Sequence, residues 1–205
     1  MLRVGLTGGV ASGKSTVGHM LAARGAHILQ ADTLAHRLYE PGEPVYHAVI
    51  DRFGREILNS NGTINRARLA NAAFPNRIGE LNAIVHPAVV DAQNRWMSDC
   101  ERIDPHGIAV VEAALLIEAG AAKDFDRVIV VTCSSDQKIA RYAHRAKLPM
   151  AEAAAEVARR SAAQLSDQAK AAHADYVIDN SGSPDDVARE VESVWNDLHG
   201  PDTAR

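Results

Sequence analysis

The sequence predicts an α/β protein with a five-stranded parallel sheet, helices on both faces, a helical insertion and a second helical segment. Three observations predict it. Over residues 2–29 a strand, a glycine-rich loop, a helix and a second strand follow one another, which is one βαβ unit with a right-handed crossover. Three later apolar runs, at 108–111, 128–132 and 176–178, read as buried strands separated by helical stretches, as in a sheet covered on both faces. Between 33 and 104 that rhythm breaks, and short helical patterns replace the strand signals.

Leu2 to Thr7 is aliphatic and must stop as a strand where Gly8 and Gly9 begin. From Lys14 to Arg24, Val17, Met20 and Leu21 recur at helical spacing, and Gly25 suits a C-cap. Ala26 to Leu29 is the second strand, expected beside the first. Residues 33–104 form the helical insertion, punctuated by Pro41-Gly42, Asn61-Gly62 and His86-Pro87. Residues 142–172, rich in Ala, Arg and Gln, read as a mobile helical flap. Tyr176-Val177-Ile178 runs into the turn Asp179-Asn180-Ser181-Gly182. The last helix is expected after Ser183, with Pro184 at its first position and Asp185-Asp186 at its positive end. This gives a single domain: a core of 1–32, 105–141 and 173–200, the insertion at 33–104, the flap at 142–172 and a tail at 201–205.

A chain of 205 residues suits one domain with a real core, and with only 4% aromatic residues that core must be aliphatic. The net charge of -4 argues against a general nucleic-acid binder, which needs a basic surface. Cys100 and Cys133 lie far apart, no apolar run reaches the ~20 residues that cross a bilayer, and Met1 leads straight into structure. The expectation is a cytoplasmic protein with no membrane partner. The histidines show no His-Glu-x-x-His spacing, so no zinc site is expected.

Gly8-x4-Gly13-Lys14-Ser15 between a strand and a helix matches the P-loop pattern in full. Glycines turn successive N–H groups inward as a nest for phosphate oxygens, and the following helix adds its positive end. Gly8, Gly9, Ala11, Ser12, Gly13, Lys14, Ser15 and Thr16 are the expected ATP-binding residues. Lys14 reaches the β and γ phosphates and the Ser15 hydroxyl ligates Mg²⁺. The class therefore narrows to a P-loop nucleoside-triphosphatase three-layer sandwich. A GTPase switch needs an Asn-Lys-x-Asp that is absent; Asp51-Arg52-Phe53-Gly54 fits a switch pattern but closes an amphipathic helix. A motor needs more chain. A small-molecule kinase is favoured, the alternatives being a nucleoside or nucleotide kinase and a non-catalytic ATP-binding module.

Asp32 follows the second strand, at the sheet edge where open α/β sheets bind ligands. A carboxylate there can accept the proton of an attacking hydroxyl. Its other reading is an N-cap for a helix starting near Thr33.

Further landmarks carry a resemblance: Gly5-Leu6-Thr7-Gly8-Gly9, Ala31-Asp32, Glu40-Pro41-Gly42, Asn61-Gly62-Thr63-Ile64-Asn65-Arg66, His86-Pro87, Leu115-Leu116-Ile117-Glu118, Arg160-Ser161-Ala162-Ala163-Gln164 and Ala174 to Gly182. In this order, from Val4 to about Val191, the chain resembles the dephospho-coenzyme A kinase family. The resemblance implies transfer of the γ-phosphoryl of ATP to the ribose 3′-hydroxyl of dephospho-coenzyme A, the final step of coenzyme A synthesis. It implies Asp32 as base, 33–104 as the coenzyme-binding region and 142–172 as the lid. Three departures stand out: Gln30 for a frequent Asp, Ala114 for a frequent Pro, and Ala11 for a frequent Gly, which requires a negative φ at Ala11.

The remaining candidates each have a plainer reading. Arg141, expected to be catalytic, Arg145, expected to bind ATP, and Arg160, expected to bind the acceptor, lie on or beside the lid, where guanidiniums stabilise a migrating phosphoryl group, or they form a solvated basic face. Arg141 and Arg145, four apart, share a helix face. His86 shapes the acceptor pocket or ends a helix at Pro87. Arg66 meets a substrate phosphate or solvent. Glu118 positions Mg²⁺ or the lid, or is a surface carboxylate. Asn180 and Gly182 lie beside adenine or form a simple turn.

Overall fold

The computed structural model describes residues 1–200; the tail expected at 201–205 lies outside the described residues. Along the chain run β1 (Leu2–Gly8), α1 (Lys14–Ala22), β2 (His27–Gln30), α2 (Ala31–Arg37), α3 (Pro44–Phe53), α4 (Arg66–Ala73), α5 (Ile78–Ile103), β3 (Ile108–Glu112), β4 (Arg127–Thr132), α6 (Ser135–Ala146), α7 (Met150–Ser161), α8 (Asp167–Ala171), β5 (Tyr176–Asp179) and α9 (Pro184–Leu198). Among the described residues they gather into two compact units, one of residues 1–29 with 100–200 and one of residues 30–99.

The five strands form one sheet in the order β2-β3-β1-β4-β5. Strand β1 pairs in parallel with β3 and β4, and β4 with β5: Leu2 lies opposite Ile108, Val4 opposite Arg127 and Ile129 opposite Tyr176. The expected adjacency of the first two strands is therefore wrong, because β3 lies between them. Burial explains the order. Ile108 to Val111 are all buried whereas every residue of β2 is only partly so. The more apolar strand takes the interior position and β2 takes the edge.

Within the sheet-bearing unit, side chains alternate between faces with the period of two that a strand imposes. Ile129 and Val131 join Val4, Leu6, Ile108, Val110 and Ile178 beneath α1 and α9, which contribute Val17, Leu21, Val187, Val191 and Leu198. Val128 and Val130 face the other way, against Leu116, Ile117 and Phe125. Helix α1 ends as its glycine predicts. Gly25, at φ 111°, donates to the Ala22 carbonyl while Ala26 donates to Leu21, the paired bonds of a Schellman cap. Helix α9 opens with a capping box: Ser183 Oγ accepts from the Asp186 N–H and the Asp186 carboxylate accepts from Ser183.

The unit of residues 30–99 is helical around its own core of Leu38, Val45, Val49, Phe53, Ile57, Ile64 and Leu69. Val45, Val49 and Phe53 recur every fourth residue on α3, which stops at Gly54 with φ 87°. Asn61-Gly62 makes the expected turn, closed by an isolated antiparallel bridge between Leu58 and Ile64. One expectation fails here. His86-Pro87 ends no helix, because α5 runs 26 residues with Pro87 inside it. Both residues are exposed, and Ile84, Val85, Ala88 and Val89 pack on the core around them. That burial outweighs the backbone bond a mid-helix proline removes.

Candidate active site

The loop between β1 and α1 follows from its glycines. Gly13, at φ 94° and ψ 25°, precedes the first turn of α1, where Thr16 N–H and Val17 N–H both point to its carbonyl. A Cβ on Gly13 would lie 1.9 Å from Asn180 Nδ2, so only glycine fits. Ala11 reverses an expectation. Its φ is +55°, in the left-handed region, which costs an L-residue about 1–2 kcal/mol. The compensation is packing: Val10 and Ala11 rest on the cluster formed by Tyr142, Ala143, Ala153 and Val157 of α6 and α7.

Lys14 curls back over the loop, its ammonium donating to the carbonyls of Gly8 (3.1 Å) and Gly9 (3.0 Å). Ser12 is fully buried, and its Oγ has no hydrogen-bond partner. Ser15 and Thr16 are exposed in the first turn of α1. Ser15 Oγ donates to Glu112 Oε1 at 2.7 Å, while Glu112 Oε2 is buried without a partner. Sequence reasoning missed Glu112. Its signal was available: a carboxylate closing an apolar strand whose register places it beside Leu6, just before the loop. A hydroxyl, an unsatisfied carboxylate oxygen and the phosphates of a nucleotide are the hard oxygen donors Mg²⁺ takes, so these residues fit the ion.

Arg141 and Asn180 form one clasp on the loop. Asn180 is 5% exposed and its Nδ2 donates to the Ser12 carbonyl at 2.8 Å. Arg141 donates to the same carbonyl (3.2 Å) and to the Asn180 carbonyl (2.8 Å). Asn180 is thus no simple turn residue. Gly182 follows it in the approach to the α9 cap, where a Cβ would meet the Asp186 side chain at 3.0 Å. Cys133 lies against the same guanidinium, and burial pushes its thiol above the usual range.

Arg141 and Arg145 lie four residues apart on α6, and Arg141 reaches the loop. Arg145 stands over the Tyr142 ring, as does Arg160, at 5.4 and 5.3 Å. Arg160 also donates to Glu156, and its neighbour Arg159 binds the same carboxylate; together they hold Glu156 down to about 2. Glu118 is not a surface carboxylate. It accepts from the buried Lys170 ammonium at 2.6 Å and from the Leu165 N–H at 2.9 Å, fixing the stretch around α8. Burial pushes its carboxyl up, but these hydrogen bonds prevail and hold it below the usual range.

Asp32, Arg66 and His86 belong to the unit of residues 30–99. Asp32 is exposed in the first turn of α2. It is not the N-cap, because α2 begins at Ala31 and Gln30 holds that position. The helix starts earlier than its sequence pattern because Ala31 is buried and carries the strand directly into it. Gln30 Oε1 accepts from Thr33 Oγ1 at 3.2 Å. Arg66 is exposed at the start of α4, and its charge acts on Tyr39, whose hydroxyl is pushed up by burial and pulled down by Arg66. His86 is exposed on α5.

A sequence profile of the dephospho-CoA kinase family matches residues 2–186. A dephospho-CoA kinase from Frankia casuarinae is 41% identical over 200 residues, covering 97% of this chain and 84% of its own length. One from Geobacter metallireducens is 39% identical over 199 residues, 96% of each chain. Among solved structures, a protein from Thermus thermophilus aligns with a TM-score of 0.78 at 29% identity, over 97% of this chain and 98% of its own.

Proposed function

The chain belongs to the dephospho-CoA kinase family, and from that membership we propose that it phosphorylates the ribose 3′-hydroxyl of dephospho-coenzyme A with ATP, giving coenzyme A and ADP. The observation that carries the reading is the phosphate cradle at 8–15, clasped by Arg141 and Asn180, in a chain matched to the family over residues 2–186. Other small-molecule kinases share the cradle alone.

In the reaction the bond from the γ-phosphorus to the β–γ bridging oxygen breaks and leaves its electron pair on ADP. A new bond forms to the 3′-oxygen, whose proton passes to the Asp32 carboxylate. Asp32 suits that role because it is an exposed carboxylate placed two residues beyond the end of a parallel strand. Lys14 and the backbone of the loop at 8–15 bind the phosphates. Arg141 adds charge as the phosphoryl group moves, and Asn180 with Gly182 borders the adenine. Ser15 and Glu112 are the residues that would hold Mg²⁺. Bound there, the ion neutralises charge on the β and γ oxygens.

We assign acceptor binding to 33–104, with Arg66 and His86 at the coenzyme, and closure over ATP to 142–172, with Arg145 serving the nucleotide and Arg160 the acceptor. Closure excludes water as a competing acceptor. The reading includes a cytoplasmic location, supported by two buried cysteines, Cys100 and Cys133, that are not joined in a disulfide. Among the described residues no helix is long and apolar enough to cross a membrane.

The test measures ADP release with dephospho-coenzyme A, AMP, CMP and shikimate as separate acceptors. Stimulation by dephospho-coenzyme A is expected. Stimulation by another acceptor in its absence overturns the reading, and no acceptor dependence at all leaves a binding module.

A further inference from the structure

Lys138 lies outside the phosphate motif, on α6, yet its ammonium lies against the loop. A Cβ placed on Gly9 would be 3.2 Å from Lys138 Nζ and 2.8 Å from Asp167 Oδ1, and Lys138 and Asp167 are ion-paired. Gly9 is also where the Lys14 ammonium rests. Because the P-loop lysine reaches the β and γ phosphates, that contact marks Gly9 as the terminal-phosphate end of the loop. Arg141 and Asn180 bond the loop further along, at the Ser12 carbonyl. Two ammonium groups therefore flank the end of the cradle at which ATP differs from ADP.

We propose that Lys138 is a further phosphate-contacting residue, reading the terminal phosphate of ATP, and that Asp167 is its counter-ion until the nucleotide arrives. The Asp167 carboxylate stands beside Gly9, on ground that a phosphate-binding loop offers to a phosphate oxygen. The incoming terminal phosphate bears more charge than a carboxylate, so the lysine gains by exchanging one for the other. There is room for the exchange. Gly9, Lys138, Gln164 and Asp167 line a cavity of about 560 Å³. Gln164 Oε1 is buried there without a hydrogen-bond partner.

The plainer role for the pair is to tie α8 to α6. However, α8 is already anchored by Lys170, which is fully buried on Glu118 and the Ala114 carbonyl. The pair is surplus to that need. Lys138 keeps 12% of its side chain exposed, so the pair is not sealed from solvent.

This inference rests on the ATP-binding reading, and binding is the measurement that tests it. Calorimetric titration of the full chain with MgATP and MgADP, without acceptor, compares wild type with Lys138→Met and Asp167→Asn. Lys138→Met should weaken ATP about tenfold and ADP less than about threefold, as for one charge-assisted hydrogen bond. Asp167→Asn should tighten ATP, because the lysine is released. A structural tie predicts instead that both variants weaken both nucleotides alike. An ATP-to-ADP affinity ratio in Lys138→Met within threefold of wild type overturns the proposal, as does weaker ATP binding in Asp167→Asn. If Lys138→Met does not fold, the sign of the Asp167→Asn effect decides. Wild-type protein that binds ATP but phosphorylates no dephospho-coenzyme A removes the acceptor assignment and leaves this inference standing.

Discussion

Replacing Gly13 by alanine tests how the clasp and the loop share their space. Alanine at φ 94° costs about 1–2 kcal/mol in the left-handed region. Its methyl would also lie 1.9 Å from Asn180 Nδ2, so Asn180 must leave. Departure breaks the 2.8 Å bond to the Ser12 carbonyl, inside a site where Ser12 is fully buried, and losing such a bond costs about 1–3 kcal/mol. Gly13→Ala should therefore destabilise the sheet-bearing unit by about 2–5 kcal/mol. Asn180→Ala alone forfeits only the hydrogen bond, about 1–3 kcal/mol. The double variant loses the same bond once, so it should be about as stable as Gly13→Ala, a coupling of about 1–3 kcal/mol between the sites. Urea denaturation in a Trp96→Phe background isolates Trp195, which packs on the sheet core. Additive losses, with the double variant at the sum of the singles, would refute the shared-space argument.

Asp32→Asn should lower turnover by ~10²-fold or more while calorimetry finds ATP affinity unchanged; full turnover would reduce Asp32 to a charge at the start of α2. Glu112→Gln should raise the Mg²⁺ concentration for half-maximal activity about tenfold, because one hard oxygen ligand is lost next to Ser15; an unchanged Mg²⁺ curve would remove Glu112 from the metal site. Lys170→Met strands Glu118 in a mostly buried place and should cost about 3 kcal/mol, read as a lowered Tm and faster proteolysis near α8. The Glu118 carboxyl is held below its usual value, so its contribution is fully present above pH ~4.3 and fades as pH falls through the lower folded value. The Tm gap between wild type and Glu118→Gln should therefore narrow below about pH 4; a gap that widens on acidification would contradict the sign.

What the sequence disclosed was local. Ser183-Pro184-Asp185-Asp186 caps a helix through bonds made within four residues, and Gly25 closes α1 through bonds to its own last turn, so both were readable in order. Strand adjacency was not, because β3 enters beside β1 only after some hundred residues, and relative burial of whole strands decides which lies inside. Pro87 misled for a related reason: a breaker signal is local, but the apolar residues around it anchor α5 to a core the signal does not include. The phosphate loop was legible as a motif. The clasp of Asn180 and Arg141 upon it joins segments 39 residues apart to a third segment well over a hundred residues away, and no spacing announces that. Glu112 escaped because the strand was read to end one residue before it.

The seating of Val10 and Ala11 on α6 and α7 bears on how such a chain changes over generations. Ala11 packs on the cluster of Tyr142, Ala143, Ala153 and Val157, so the tolerated size at position 11 depends on residues well over a hundred positions downstream. A lineage that acquires glycine there relieves the backbone but opens a gap that a bulkier neighbour on the helices must fill. The two segments are thus inherited as one, and a loop transplanted from a relative should work only if the matching helix face travels with it.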